Sequence, residues 1–239
     1  MTKQQLARMI DHTILKAEAT EADVRKIVAE AIEQKFASVC VNGRWANLVS
    51  DVLHEAGLGD PQKAGDNWVK TCVVVGFPLG ANRSTIKAIE ASSAVKDGAQ
   101  EIDMVIDLNA LLAGDGEYAR QDVFEVVRAA RATWRHTVVK VILETAALTE
   151  EQIALGCKAA QEGGADFVKT STGFHPKGGA TAQTVAWLKK YSNGLKVKAS
   201  GGIRDFAGAQ TMVAAGADRL GCSASVAIVS GAAATGTGY

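Results

Sequence analysis

The chain has 239 residues, with 26 basic and 26 acidic side chains and a formal net charge of zero. Hydrophobic residues make up 47%, so a sizeable core can form, and the length suits one α/β barrel or two small domains. Balanced charge spread along the chain excludes a general nucleic-acid binder and leaves any anionic ligand to a local site.

The first residues, M-T-K-Q-Q-L-A-R-M-I, lack the apolar core of a signal segment. No apolar run reaches the ~18 residues of a membrane span. Cys40, Cys72, Cys157 and Cys222 form no C-x-x-C pair and read as reduced thiols of a cytoplasmic protein.

In chain order, residues 2–9 predict a short lead-in helix, followed by a strand around Met9 to Leu15. Thr20 and Asp23 resemble a capping pair that opens a helix with Ile27, Val28, Ala31 and Ile32 at helical spacing. Strand two spans Phe36 to Asn42, and its helix runs from about Arg44 to Ala56. Gly57 to Asn67 reads as loop. Strand three covers Val69 to Phe77, and its helix about Ser84 to Lys96. Strand four is Glu101 to Ile106, and the helical stretch Leu108 to Arg135 is breakable at Gly114 and Gly116. Strand five is Thr137 to Glu144, with a helix after Thr149. Strand six is Asp166 to Thr170, with a helix at about Thr181 to Tyr191. Strand seven is Lys196 to Ser200, with a helix from Asp205. Strand eight is Asp218 to Ser223, before a short last helix.

Eight strands, each followed by a helix, predict a (β/α)8 TIM barrel: one domain over residues 1–239 with a flexible tail at 231–239. Gly98-Ala99, Gly164-Ala165 and Gly216-Ala217, each just before a strand, form a weak internal echo. A doubly wound sheet is the alternative, but no G-x-G-x-x-G follows strand one.

Side chains alternate along a strand, so parity sorts them. The polar sets are Asp11 and Thr13; Ser38, Cys40 and Asn42; Glu101 and Asp103; Lys140 and Glu144; Lys169 and Ser171; and Lys198 and Ser200. The opposite faces are apolar and suit the outer helices, so the polar sets point into the barrel. Asp103, Lys169 and Lys198 are expected to converge at the C-terminal end of the strands, where barrel sites lie, with Glu144 and Asp11 able to join them.

A lysine withdrawn from water must be paired or lose its proton more readily. A neutral amine is the nucleophile of Schiff-base chemistry. Of two inward lysines, the more buried is expected to lose its proton more easily, while Asp103 compensates the other and acts on protons. A structural ion-pair network is the alternative.

His12, His54, His136 and His175 show no metal-binding spacing, so no metal or other cofactor is expected. Gly201-Gly202 after strand seven, and Ser223-Ala224 after strand eight, lie where barrels of this kind bind phosphate through backbone N–H groups.

The segments I-D-H-T, S-V-C-V-N, E-I-D-M-V, F-V-K-T-S-T-G, V-K-A-S-G-G-I and G-C-S along this chain resemble the deoxyribose-phosphate aldolase family. The resemblance implies a metal-free class I aldolase that reversibly cleaves 2-deoxy-D-ribose 5-phosphate to D-glyceraldehyde 3-phosphate and acetaldehyde in deoxyribonucleoside breakdown. It implies Lys169 as the Schiff-base lysine and Lys198 as the second lysine. Asp103 becomes the relay carboxylate, Asp11 a supporting acid and Tyr239 a proton-transfer tyrosine. It further implies substrate contacts at Thr13, Cys40, Thr172 and Gly173, phosphate contacts at Gly201, Gly202, Ser223 and Ala224, and a homodimer. Position 43 is Gly where family members often have Pro. Phe174 stands where some members place a phosphate-binding lysine, a role Lys177 would take over from the same loop. The rival readings are another phosphate-binding barrel, an isomerase or lyase, and a sugar-phosphate-binding protein without turnover.

Overall fold

The computed structural model describes residues 1–231. Its strands are β1 (Ile10–Ile14), β2 (Ser38–Val41), β3 (Lys70–Val75), β4 (Glu101–Val105), β5 (Val138–Ile142), β6 (Phe167–Lys169), β7 (Lys196–Ser200) and β8 (Arg219–Cys222). All are parallel to their neighbours, in the order β1 to β8, and pairing of His12 with Cys222 helps join β8 back to β1. This is the closed (β/α)8 barrel that the alternation predicts.

The helices are α1 (Lys3–Ala7), α2 (Glu21–Gln34), α3 (Ala46–Glu55), α4 (Pro61–Ala64), α5 (Ser84–Lys96), α6 (Leu108–Ala113), α7 (Gly116–Thr133), α8 (Glu150–Glu162), α9 (Ala182–Tyr191), α10 (Phe206–Ala214) and α11 (Ser225–Ser230). Thr20 and Asp23 form a complete capping box at the start of α2. The long helical stretch after β4 divides, with Gly114 in the left-handed region closing α6. Two details differ from the sequence expectation. Gly43–Trp45 forms a 3-10 turn before α3, and the expected loop at 57–67 contains α4, started by the Asp60 side chain with Pro61 in the first turn.

The Gly-Ala echo has a physical cause. Gly98, Gly164 and Gly216 all have positive φ, and each following alanine returns its N–H to a carbonyl five residues back, in Ala94, Ala160 and Met212. Each pair stops a helix and aims the chain into the next strand.

Strand parity divides the core. Val39, Val41, Val73, Ile102, Met104, Val141, Val168 and Val197 face outward and join the apolar sides of the helices in one large cluster. Inside the barrel the apolar set is small: Leu15, Cys40, Cys72 and Val74, with Phe77 packed on it. Charged side chains fill much of the remaining interior. Among the described residues no helix is long and apolar enough to cross a membrane.

The catalytic-end loops after β3 and β4 are held by a buried ion pair outside the barrel. Lys87, on α5, donates to Asp122 on α7 at 2.6 Å and to the carbonyls of Gly80 and Val105 at 3.0 and 3.1 Å. Glu90 accepts the Gly76 N–H at 2.8 Å, so α5 grips both ends of the 76–80 turn. Gly76 has no room for a Cβ, which would lie 2.6 Å from the Lys87 stem. Lys87→Met should strand the Asp122 carboxyl and cost about 3 kcal/mol in urea denaturation, and adding Asp122→Leu should recover part of the loss.

Candidate active site

β4, β6 and β7 bring Asp103, Lys169 and Lys198 to one point. The Lys169 and Lys198 ammonium groups each lie 2.7 Å from Oδ2 of Asp103. Oδ1 of the same carboxylate accepts from Lys140 of β5 at 2.7 Å and from the Cys72 thiol at 3.2 Å. Lys198 also pairs with Asp11. Asp11 further accepts from Ser38 at 2.7 Å and from Arg219 at 2.6 Å. Glu101 joins below, 2.6 Å from Lys140 and 3.2 Å from Arg219.

Sequence reasoning placed Lys140 and Glu101 on the inward faces but did not carry them into the converging set. Arg219 and Cys72 were missed. The available signal was parity: Lys140 shares a face with Ile142, and Arg219 shares one with Gly221. Strand register brings Lys140 and Cys72 to Asp103, and barrel closure brings Arg219 to Asp11; the linear pattern shows neither.

The electrostatics follow from this crowding. Burial works against charge on Asp103, yet Lys140, Lys169 and Lys198 together hold its carboxyl well below the usual range. Burial is likewise outweighed at Asp11 by Arg219, Lys198 and Lys140, and at Glu101 by Arg219 and Lys140, so both carboxyl groups are lowered. Lys198 is raised despite complete burial, because Asp103 and Asp11 flank it. Lys140 is raised well above a free lysine by Asp103, Cys72, Glu101 and Asp11, again against burial.

This corrects one expectation. The more deeply buried lysine is Lys198, at 0% exposed against 3% for Lys169, and it is the one held protonated. Two carboxylates outweigh the desolvation that the argument from burial relied on. Lys169 has one carboxylate, which it shares. Four cations, Lys140, Lys169, Lys198 and Arg219, face three carboxylates, Asp11, Glu101 and Asp103. Among these cations Lys169 has the fewest carboxylates on it.

Glu144 does not join the convergence. It stands in the left-handed region at φ 57 and its carboxylate takes the hydroxyl and N–H of Thr172. It thereby braces the loop after β6, and the Thr172 hydroxyl is engaged there. The Thr13 hydroxyl donates to the Asp11 carbonyl at 2.8 Å. The sulfurs of Cys40 and Cys72 and an oxygen of Asp103 lie within 4.8 Å of one another. That spacing would suit a cation, and the ammonium of Lys140 already bonds to Cys72 and Asp103 there. His12 is buried on the outer face, between Ser225 at 2.9 Å and Glu30 at 2.7 Å, and acts in packing.

The glycine loops lie at the same end of the barrel. Gly201 and Gly202 have φ of 86 and 82°, a conformation open to glycine. A Cβ on Gly201 would meet Cα of Gly179 at 3.0 Å and Cα of Gly173 at 3.3 Å, so the loops after β6 and β7 touch backbone to backbone. A Cβ on Gly202 would meet nothing within 4 Å. Gly221 makes room for Lys198, whose Cε would lie 3.1 Å from a Cβ there. Ser223 is exposed and Ala224 half-buried just before α11. Lys177 is exposed in the loop after β6, and Phe174 of that loop packs edge-on against Phe77 at 5.2 Å. Tyr239 and the tail beyond Gly231 lie outside the described residues.

A family model described as DeoC/LacD family aldolase matches residues 6–234. The chain belongs to the DeoC/LacD aldolase family. Curated members of similar sequence include a deoxyribose-phosphate aldolase of Bacillus cereus, 49% identical over 225 residues and 94% of each chain. Another, from Enterococcus faecalis, is 48% identical over 235 residues, covering 98% of this chain and all of that one. Among solved structures, the tetrameric deoxyribose phosphate aldolase of Aeropyrum pernix superposes with a TM-score of 0.85 at 34% identity, over 96% of this chain and 91% of that chain. For a DeoC/LacD aldolase, a lysine at the end of β6 that shares a carboxylate with a second lysine has direct chemical meaning.

The pH dependence of stability follows from the cluster. Lowered carboxyl groups contribute stability that is present above their unfolded pKa of about 4 and lost as pH falls through the folded values. Raised lysines contribute stability that is present below about 10.4 and lost as pH rises further. Urea midpoints should therefore form a plateau between about pH 5 and pH 10 and fall on both sides, and Asp103→Leu should flatten the acid limb.

Proposed function

We propose that this chain reversibly cleaves 2-deoxy-D-ribose 5-phosphate to D-glyceraldehyde 3-phosphate and acetaldehyde through an imine on Lys169. The observation that carries this reading is the Asp103 carboxylate, shared at 2.7 Å by Lys169 and Lys198 at the catalytic end of the barrel. The named activity of relatives about half identical over nearly the whole chain supports the choice of substrate.

Neutral Lys169 attacks the aldehyde carbon, water leaves, and the resulting imine is the electron sink. Loss of the C3 hydroxyl proton breaks the C2–C3 bond and releases glyceraldehyde 3-phosphate. The enamine left on Lys169 is protonated at carbon, and hydrolysis frees acetaldehyde. Asp103, held ionised, is too weak a base to remove a hydroxyl proton unaided. It acts as the relay point, with a water, between the substrate and the two lysines. Lys198, held as an ammonium by Asp11 and Asp103, supplies the positive field that favours the neutral amine of Lys169. Asp11 keeps Lys198 in place. Tyr239 is the expected proton donor at the enamine carbon.

Gly201, Gly202, Ser223 and Ala224 offer backbone donors to the phosphate, with Gly173 beside them and Lys177 as the cation within reach. Thr13, Cys40 and Thr172 line the approach to Lys169. No step of this scheme calls for a metal or an organic cofactor. Four buried free thiols support a cytoplasmic setting. Exposed Ile86 and Ile89 on α5 and Phe124 on the adjoining α7 support a homodimer. The product chemistry suits deoxyribonucleoside breakdown.

Acetaldehyde with borohydride should add one reduced two-carbon adduct at Lys169, located by intact mass and peptide mapping. Lys169→Leu should lose both adduct and cleavage. Asp103→Asn should lower the urea midpoint and, in the protein that remains folded by circular dichroism, lower kcat by about 10²-fold or more. A folded protein that forms no adduct would favour a phosphate-binding isomerase.

A further inference from the structure

The N-terminal face of the barrel, opposite the catalytic mouth, carries a cavity of about 650 Å³. That volume lies within the range of small-molecule sites. Its walls come from residues at the starts of β3, β4 and β5 and just before them, including Trp68, Trp134, Pro61, His136, Lys70 and Glu101. The wall is built rather than loose. Gln100 takes the Thr71 N–H at 2.8 Å and donates to the Gly59 carbonyl at 2.8 Å, tying the 59–71 segment to the start of β4.

The lining has a definite chemistry. Trp68 and Trp134 provide two indole surfaces, with the Trp134 ring set edge-on to His136 at 5.6 Å. Such faces favour flat rings. The Lys70 ammonium lies over the Trp68 ring, 4.5 Å from its centroid. Lys70 is half-buried, and among the described residues no carboxylate closes on it to ion-pair distance. Of the two acids in the lining, Glu101 is already engaged by Lys140 and Arg219, and Asp60 caps α4 by accepting the Gln62 N–H at 2.8 Å. A half-buried cation without an anion beside aromatic walls suits a ligand that combines a flat ring with one negative group.

We propose that this cavity binds a small, flat aromatic anion, at a site separate from the catalytic mouth. Glu101 lines the cavity and also holds Lys140, which holds Asp103, so the occupant lies two ion pairs from the reactive carboxylate.

Calorimetric titration of the full chain with 1-naphthoate tests the proposal. One saturable site is expected, with cyclohexanecarboxylate and 1-naphthalenemethanol each binding about tenfold or more weaker, since one lacks the ring face and the other the charge. Lys70→Met and Trp134→Leu should each weaken 1-naphthoate by about tenfold, while Lys169→Leu should leave its affinity unchanged. Absence of saturable binding, equal affinity for the three probes, insensitivity to Lys70→Met, or loss in Lys169→Leu would each overturn it. If Trp134→Leu fails to fold by circular dichroism, Lys70→Met alone decides.

Discussion

The carboxylate of Asp103, buried in the middle of the barrel, accepts from three ammonium groups. Removing it would leave Lys140, Lys169 and Lys198 facing one another with only Asp11 and Glu101 to neutralise them, together with Arg219. Buried charge of this density persists only where every member is paired, because an unpaired ion in such a place costs several kcal/mol. The cluster is therefore a structural commitment as well as a chemical one, and the surrounding strands are spaced to serve it. Gly221 lacks a side chain so that Lys198 can pass, and Ser38 and Cys72 fill hydrogen-bonding positions that the carboxylates leave open.

The unequal holding of the lysines gives the site its direction. Lys140 sits among three carboxylates and Lys198 between two, whereas Lys169 shares a single oxygen. It is also the last residue of its strand, nearest the mouth. The lysine with the fewest carboxylates around it thus stands at the end of its strand. Around it the loops are held from behind: Glu144 braces the loop after β6, Gly201 fits against Gly173 and Gly179, and Lys87 anchors the turn after β3 from outside the barrel. Rigid support of this kind keeps the Lys169 amine and the Asp103 carboxylate within hydrogen-bond distance.

The ion chain does not stop at the catalytic end. Through Lys140 and Glu101 it continues to the opposite face of the barrel, where Arg219 lies over the Phe167 ring and Lys70 over Trp68. A barrel interior filled with charge rather than with layers of branched aliphatic side chains connects its two faces electrostatically. That is the physical ground on which the two ends of this molecule can be considered together.

Much of this was legible in the order of residues. Runs of β-formers alternating with helical patterns identified the eight strands, the Gly-Ala pairs echoed that repeat, and parity put Asp103, Lys169 and Lys198 on inward faces, because side-chain direction in a strand is a local property. Capping by Thr20 and Asp23 is equally local. What depended on strand register and closure was not legible. Lys140 and Cys72 reach Asp103 through the register of β5 and β3 beside β4, and Arg219 reaches Asp11 only when β8 returns to β1. Glu144 leaves the inward set because the chain turns left-handed at that residue. The charge on the more buried lysine was not legible either: a sequence shows that two lysines face inward, but the number of carboxylates around each is set by contacts between strands far apart in the chain. Sequence alone determined the barrel and the inward parity of its lysines and carboxylates; the tertiary structure decided which ions each of them meets, since the field at a buried site is summed over everything that folding brings near it.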